Sequence, residues 1–173
     1  MAAGATYTPI ATTTLSSAVG SYTFTGISNS YTDLILIATL KVGGTASNAM
    51  ILRVGNGSID TGSNYSFTNL IGNGSTATSG RGSSQTSISL TQGNQLAPAN
   101  LQNVYIMNFQ NYSNTTTYKT ALLRTSLIES SSGFASSTVG LWRSTSAIDQ
   151  IQISTTDNLQ AGSTLTLYGI AAA

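Results

Sequence analysis

The chain contains no cysteine and no histidine, only two prolines, and only 6% charged residues. Each shortage removes a class of function. Without histidine or cysteine the chain supplies no Ser-His-Asp triad, Cys-His pair, zinc finger, haem ligand or disulfide. Six Lys and Arg stand against five Asp and Glu, a net charge of +1. No basic face is available to neutralise phosphates, so nucleic acid is not expected as a partner. The longest uncharged apolar run is short, Leu34-Ile35-Leu36-Ile37-Ala38-Thr39-Leu40. A bilayer span needs roughly 20 such residues, so no membrane partner is expected either. The opening Met1–Tyr7 has no basic region and no long apolar stretch, and is not expected to be a secretory signal. The missing cysteine suits a reducing cytosol but fits any compartment.

What fills the chain instead is hydroxyl and amide. Ser (26), Thr (27), Asn (13) and Gln (8) make up 74 of 173 residues, or 43%. Hydrophobic residues reach 40%, with eight Tyr, four Phe and one Trp. That supply builds a core, since a chain of this length buries roughly 70% of its unfolded surface. Disordered segments need low hydrophobicity and usually high net charge, and both are absent here. No linker divides the sequence, so residues 1–173 read as one domain.

The local patterns have period two, the spacing of strands. Tyr22 and Phe24 share one face of their segment. Leu165 and Leu167 share another, opposite Thr164, Thr166 and Tyr168, and Ile151 and Ile153 alternate with Gln150, Gln152 and Ser154. Asp33–Val42 is apolar on both faces and reads as a central strand buried from two sides. Strands are expected at Tyr7–Thr13, Gly20–Thr25, Asp33–Val42, Ala49–Gly55, Tyr65–Asn69 and Thr86–Leu90. Others are expected at Gln102–Gln110, Thr117–Thr125, Thr138–Arg143, Ile148–Thr155 and Ser163–Ala171. Turns such as Asn56-Gly57, Gly43-Gly44 and Gly72-Asn73-Gly74 separate them. The expected fold is all-β: one jelly-roll-like β-sandwich of about 8–11 short antiparallel strands. Gly72–Gln95 reads as a long Gly/Ser/Thr-rich loop holding one short strand at most. The uncharged Met1–Ser17 reads either as an arm that adds to a neighbour's sheet or as the first strand of its own.

Candidate chemistry is sparse. The acids are Asp33, Asp60, Glu129, Asp149 and Asp157, and no spacing pairs two of them as glycoside hydrolysis requires. No catalytic residue and no cofactor are expected. Asp33 is placed to hydrogen-bond a neighbouring turn, and Asp149 reads as an outward-facing charge. Asp60-Thr61-Gly62 and Asp157-Asn158 offer oxygens to a cation, but too few for a usual calcium site, and turn formation explains them better. The sequons at Asn56, Asn64, Asn73, Asn111 and Asn114 follow from the abundance of Ser and Thr. Trp142 and Tyr105 are expected in the core, where large aromatics usually go. Tyr112 and Tyr118 flank the turn Asn111–Thr117. There Tyr112, Asn111 and Asn114 form a candidate glycan contact, the ring for the sugar's C–H face and the amides for its hydroxyls. Arg81 is a candidate contact for a carboxylate on a partner chain.

Several segments also carry a resemblance. They are Tyr22-Thr23-Phe24-Thr25-Gly26-Ile27, Tyr31-Thr32-Asp33-Leu34, Leu52-Arg53-Val54-Gly55-Asn56-Gly57 and Gly72-Asn73-Gly74-Ser75. They continue with Asn111-Tyr112-Ser113-Asn114, Gly140-Leu141-Trp142-Arg143-Ser144, Ala147-Ile148 and the closing Gly162–Ile170. In this order the chain resembles small β-sandwich virion structural proteins of tailed bacteriophages, of the capsid-decoration or tail-fibre-associated type. The resemblance implies a non-enzymatic protein of the virion surface, made in the host cytoplasm. As a decoration (cement) protein its partners would be the major capsid protein and copies of itself, with a trimer expected. The alternative is a tail-fibre or receptor-binding module that recognises host surface glycans. An enzyme such as a polysaccharide depolymerase is the reading least supported.

Overall fold

The alternating apolar and hydroxyl side chains resolve into strands throughout. The structure, a computed structural model, describes residues 6–43, 49–90, 101–128 and 133–171. The strands in chain order are β1 Tyr7–Thr14, β2 Val19–Phe24, β3 Asp33–Lys41, β4 Met50–Asn56, β5 Ser58–Ile59, β6 Tyr65–Gly72 and β7 Ala77–Gln85. They continue with β8 Ile88–Ser89, β9 Gln102–Gln110, β10 Lys119–Ile128, β11 Gly133–Trp142, β12 Gln150–Leu159 and β13 Thr164–Ile170. No helix occurs among the described residues. Two antiparallel sheets form, as in a β-sandwich. The larger has eight strands in the order β1-β13-β3-β9-β10-β11-β6-β7. The smaller has five, β2-β12-β4-β5 with β8 beside β4.

Period-two alternation decides which residues enter the core. Leu34, Leu36, Ala38 and Leu40 of β3 and Leu165 and Leu167 of β13 are buried on one face of the larger sheet. Met50, Leu52, Val54, Ile151 and Ile153 meet them from the smaller sheet in a single apolar cluster. Each such side chain contributes roughly 1.5–3 kcal/mol relative to exposure. Tyr22 and Phe24 share a face as expected and pack edge to face, ring centroids 5.0 Å apart. Gly169 of β13 lies directly under the Tyr31 ring; a methyl group there would come within 2.4 Å of it.

One joint ties the two sheets together. Residues 60–64 carry the chain from β5 in the smaller sheet to β6 in the larger. The Asp60 carboxylate accepts Gly62 N–H at 2.8 Å, Asn64 Nδ2 at 2.9 Å and the Trp142 indole Nε1–H at 2.7 Å. Burial alone would raise its pKa, but these bonds outweigh burial and hold the carboxyl below its ordinary range. The Tyr65 hydroxyl shares its proton between the carbonyls of Val54 (2.9 Å) and Asp60 (2.8 Å), and accepts Val54 N–H at 3.2 Å. Arg143 adds its guanidinium on the Ser63 carbonyl at 2.6 Å.

Several sequence expectations need correction. Residues 72–90 are not a long loop: β7 and β8 occupy them, while 91–95 lie outside the described residues. β7 has no apolar alternation because it is an edge strand with nothing to bury. Of the two readings left open for Met1–Ser17, the structure takes the second: β1, Tyr7–Thr14, pairs with β13 of its own sheet. β10 and β11 run to Ile128 and back from Gly133, further than expected: buried Leu127 pairs with Phe134 at the far end, and Thr125 and Ser126 with Ser136 and Ala135 carry the pairing to it. Asp149 is not merely an outward charge. Both its oxygens accept the N–H of Gly57 (2.9 and 3.0 Å), which turns with φ of +70° between β4 and β5. Asp33 behaves as expected, its carboxylate accepting Asn111 N–H at 2.7 Å. β3 is central in its sheet, yet only one of its faces is buried. Ile37, on the other face, is 40% exposed.

The joint generates two predictions. Asp60→Asn should cost about 1–2 kcal/mol in urea unfolding at pH 7, since bonds to a charged acceptor exceed neutral ones but this carboxylate is partly solvated. The stability that Asp60 contributes is present above the ordinary carboxylate range and is lost as pH falls through its lowered pKa. The fall in stability from pH 6 to pH 3 should therefore be shallower in Asp60→Asn. Tyr65 behaves in the opposite sense. Burial pushes its phenol from 10.0 up to about 12, so its contribution is complete below pH 10 and lost as pH rises through about 12. Tyr65→Phe should be less stable at pH 8 and should lose less of its remaining stability between pH 10 and 12, read by denaturant melts at each pH.

Candidate functional site

The turn nominated as a glycan contact is built for structure. Asn111 sits at φ of +51°, a left-handed conformation that asparagine tolerates, with its N–H on Asp33. The Asn114 side-chain oxygen accepts the N–H groups of Thr116 (2.7 Å) and Thr117 (2.8 Å), closing the turn on itself. Tyr112 is fully buried, and its hydroxyl donates to the Ser28 carbonyl. Burial pushes its phenol up. A ring without accessible surface cannot stack on a sugar, so Tyr112 is removed as a contact. Tyr118, on the far side of the turn, is the exposed ring, at 56%. Trp142 and Tyr105 lie in the core as expected.

The remaining acids do not assemble a site. Asp60 accepts three N–H donors, from Gly62, Asn64 and Trp142, in keeping with its reading as a turn residue. Asp157 and Asn158 do not form a turn as expected: both lie in β12, past Ser154 where its pairing with β2 shifts register, and Asp157 there accepts Asn158 N–H at 2.8 Å. Glu129 lies outside the described residues. Among the described residues no three His, Cys, Asp or Glu gather to hold a metal ion. The buried Lys119 ammonium donates to the carbonyls of Thr117 (2.7 Å) and Thr145 (3.1 Å), and burial lowers its pKa. The cavity beside it holds about 10 Å³, roughly the volume of one water.

The unusual surface is the outer face of the larger sheet. Its register aligns side chains in rows across all eight strands. One row reads Pro9, Tyr168, Ile35, Asn108, Leu122, Val139, Thr68, Arg81. The next reads Thr12, Thr166, Ile37, Ile106, Arg124, Ser137, Leu70, Ser79. Of the large apolar side chains exposed among the described residues, all but Tyr118 project from this face. Leu70 is 62% exposed and Val139 52%. Isolated exposed apolar residues need no explanation, but a contiguous set marks an interaction surface. Sequence reasoning met only the β3 part of this set, in the two apolar sides of Asp33–Val42, and assigned both sides to the interior. The alternation alone does not say whether the second side is covered by this chain.

Two shallow hollows lie on that face. One of about 510 Å³ is floored by the small residues Gly72, Ala77, Ala135 and Ser137, with Leu70 and Arg124 at its border. The other, about 310 Å³, lies among Thr68, Val139, Leu141 and Arg81. Arg81 is therefore on the edge strand β7, not in a loop, and its row joins it to the apolar face. The opposite side of the sandwich differs. The outer face of the smaller sheet presents Gln152 paired between Thr23 and Arg53. Gln152 there donates to Thr23 Oγ1 at 3.1 Å, and Arg53 Nε to the Thr86 carbonyl at 2.9 Å.

No protein-family model matches the chain, and no curated protein matches it significantly.

Tyr112 yields a test of the turn. Tyr112→Phe should cost about 1–3 kcal/mol, the penalty for leaving the Ser28 carbonyl without its donor. Tyr112→Ala should cost about 3–5 kcal/mol through the cavity it opens. Both losses should appear in thermal or urea unfolding. Any binding activity of Tyr112→Phe, measured where the variant is folded, should equal that of the parent.

Proposed function

We propose that the chain is a non-enzymatic structural protein of a tailed-phage virion surface, a capsid decoration (cement) protein that stabilises the shell through contacts between subunits. The observation that carries this reading is the extended apolar outer face of the eight-stranded sheet. It suits a protein that works by being packed against others. The scarcity of charge fits the same role. With no histidine and five acids, few groups titrate between pH 5 and 8, so subunit contacts change little over that range. Many weak contacts summed over a repeating lattice hold firmly without one dominant residue. The sequence resemblance to β-sandwich virion proteins points the same way. The partners are then the major capsid protein and further copies of the chain, for which the sequence reading expects a trimer. Neither nucleic acid nor membrane enters.

A second reading keeps one specific support. Tyr118 presents an exposed ring beside the Asn- and Thr-rich turn 111–117, the combination that a glycan-recognising tail-fibre module would use. Under it, Tyr118→Ala abolishes host adsorption while leaving the fold intact; under the decoration reading adsorption is unchanged.

Copy number per particle tests the proposal. Quantitative mass spectrometry of purified virions should find hundreds of copies in a simple ratio to the major capsid protein. Particles lacking the chain should break at lower temperature or under milder osmotic shock. A handful of copies would transfer the assignment to the tail, and absence from particles would overturn both virion readings.

A further inference from the structure

We infer that the outer face of the eight-stranded sheet is an interface between two copies of this chain, packed sheet on sheet so that the sandwich gains a further layer. The inference deepens the structural role proposed above but does not depend on where the assembly sits.

The area of the face is the first argument. Seven spacings of about 4.8 Å between eight strands, and strands spanning about seven residues at about 3.4 Å each, give a surface of roughly 800 Å². That equals the roughly 800 Å² that each partner contributes to a standard stable interface. Sheets pack face to face when their side chains interdigitate at about 10 Å separation. This face offers both halves of such a contact. Leu70 and Val139 stand proud, and the hollow over Gly72, Ala77, Ala135 and Ser137 is recessed. Knob and recess on one surface are what a two-fold contact needs, because the same patch meets itself.

Chemistry is the second argument. The face presents Ile, Leu, Val, Tyr, Ser, Thr and Asn, with Arg124, Arg81 and Lys41 as the cations and Asp33 as the acid. Asp33 already accepts a hydrogen bond from Asn111. A partner built to answer two guanidiniums would bring carboxylates, and its binding would weaken with salt. A second copy brings apolar surface and the same guanidiniums instead. Its association should therefore hold or strengthen as salt screens their repulsion. The polar outer face of the smaller sheet, with Gln152 and Arg53, offers no comparable surface.

Sedimentation equilibrium on the full chain, from 1 to 300 µM and at 50 and 500 mM NaCl, tests the inference. The expected result is reversible self-association, at least as strong at the higher salt. Leu70→Asp and Val139→Asp should each weaken it tenfold or more. Both positions are exposed, so both variants should keep the parent's circular dichroism and melting temperature within a few degrees. Gln152→Asp on the opposite face should leave association unchanged. A dimer that the same two substitutions dissociate supports the inference, and a trimer overturns its two-fold form. A monomer at 300 µM in both salts overturns it, even if the chain is found on particles through contact with the shell protein. So does an assembly indifferent to Leu70→Asp and Val139→Asp. Self-association by a chain that virions lack would instead sink the virion reading and leave this interface standing.

Discussion

A single carboxylate holds the passage between the two sheets. Asp60 takes an indole proton from β11 of the larger sheet, while its own carbonyl meets the Tyr65 hydroxyl that also binds β4 of the smaller. Everything that a sandwich needs follows from keeping those two layers in register. The apolar cluster between them closes only if Val54 and Tyr65 stay together, because they belong to different sheets and sit at the heart of it. Of the five acids in the chain, Asp60, Asp33, Asp149 and Asp157 all accept backbone N–H groups of their own fold. A buried polar joint of this kind is worth most when each of its groups is satisfied, and here the carboxylate, the indole and the phenol all have partners.

The fold was legible wherever alternation had something to bury. Leu165 and Leu167 against Thr164 and Thr166, Ile151 and Ile153 against the glutamines, and Tyr22 with Phe24 all point where their spacing says. Legibility failed where pairing proceeds without burial. β7, Ala-Thr-Ser-Gly-Arg-Gly-Ser-Ser-Gln, is held by β6 on one side only, and its side chains carry no trace of a core. The same reason shortened the expected β11, whose first half, Gly-Phe-Ala-Ser-Ser, is nowhere fully buried. Tyr112 misled in the opposite direction. Its neighbours are turn residues, so the ring reads as exposed, yet the turn folds it under the chain against Ser28. Only long-range contact decides that, and spacing along the sequence does not contain it.

The most informative disagreement concerns β3. Its sequence is apolar on both faces, and in an ordinary sandwich that combination belongs to a strand covered twice. This chain covers it once. The sequence thus carries the imprint of a third layer that the fold itself does not supply, and the same imprint extends through Ile106, Leu122 and Val139 on the neighbouring strands. Under the proposed interface the larger sheet would become an interior sheet of the assembly and the smaller one its exterior.

The turn at Gly57 also bears on chemical durability. Asn-Gly is the dipeptide most prone to spontaneous deamidation, in which the backbone nitrogen of the glycine attacks the asparagine side-chain carbonyl and closes a five-membered imide. Here that nitrogen's proton is bonded to both oxygens of Asp149 (2.9 and 3.0 Å), and the Asn56 amide is anchored on the Ala147 carbonyl at 3.0 Å. The nucleophile is held by its proton and the electrophile is turned to another partner. An acid that reads from sequence as a solubility charge thereby slows the ageing of the tightest turn in the smaller sheet.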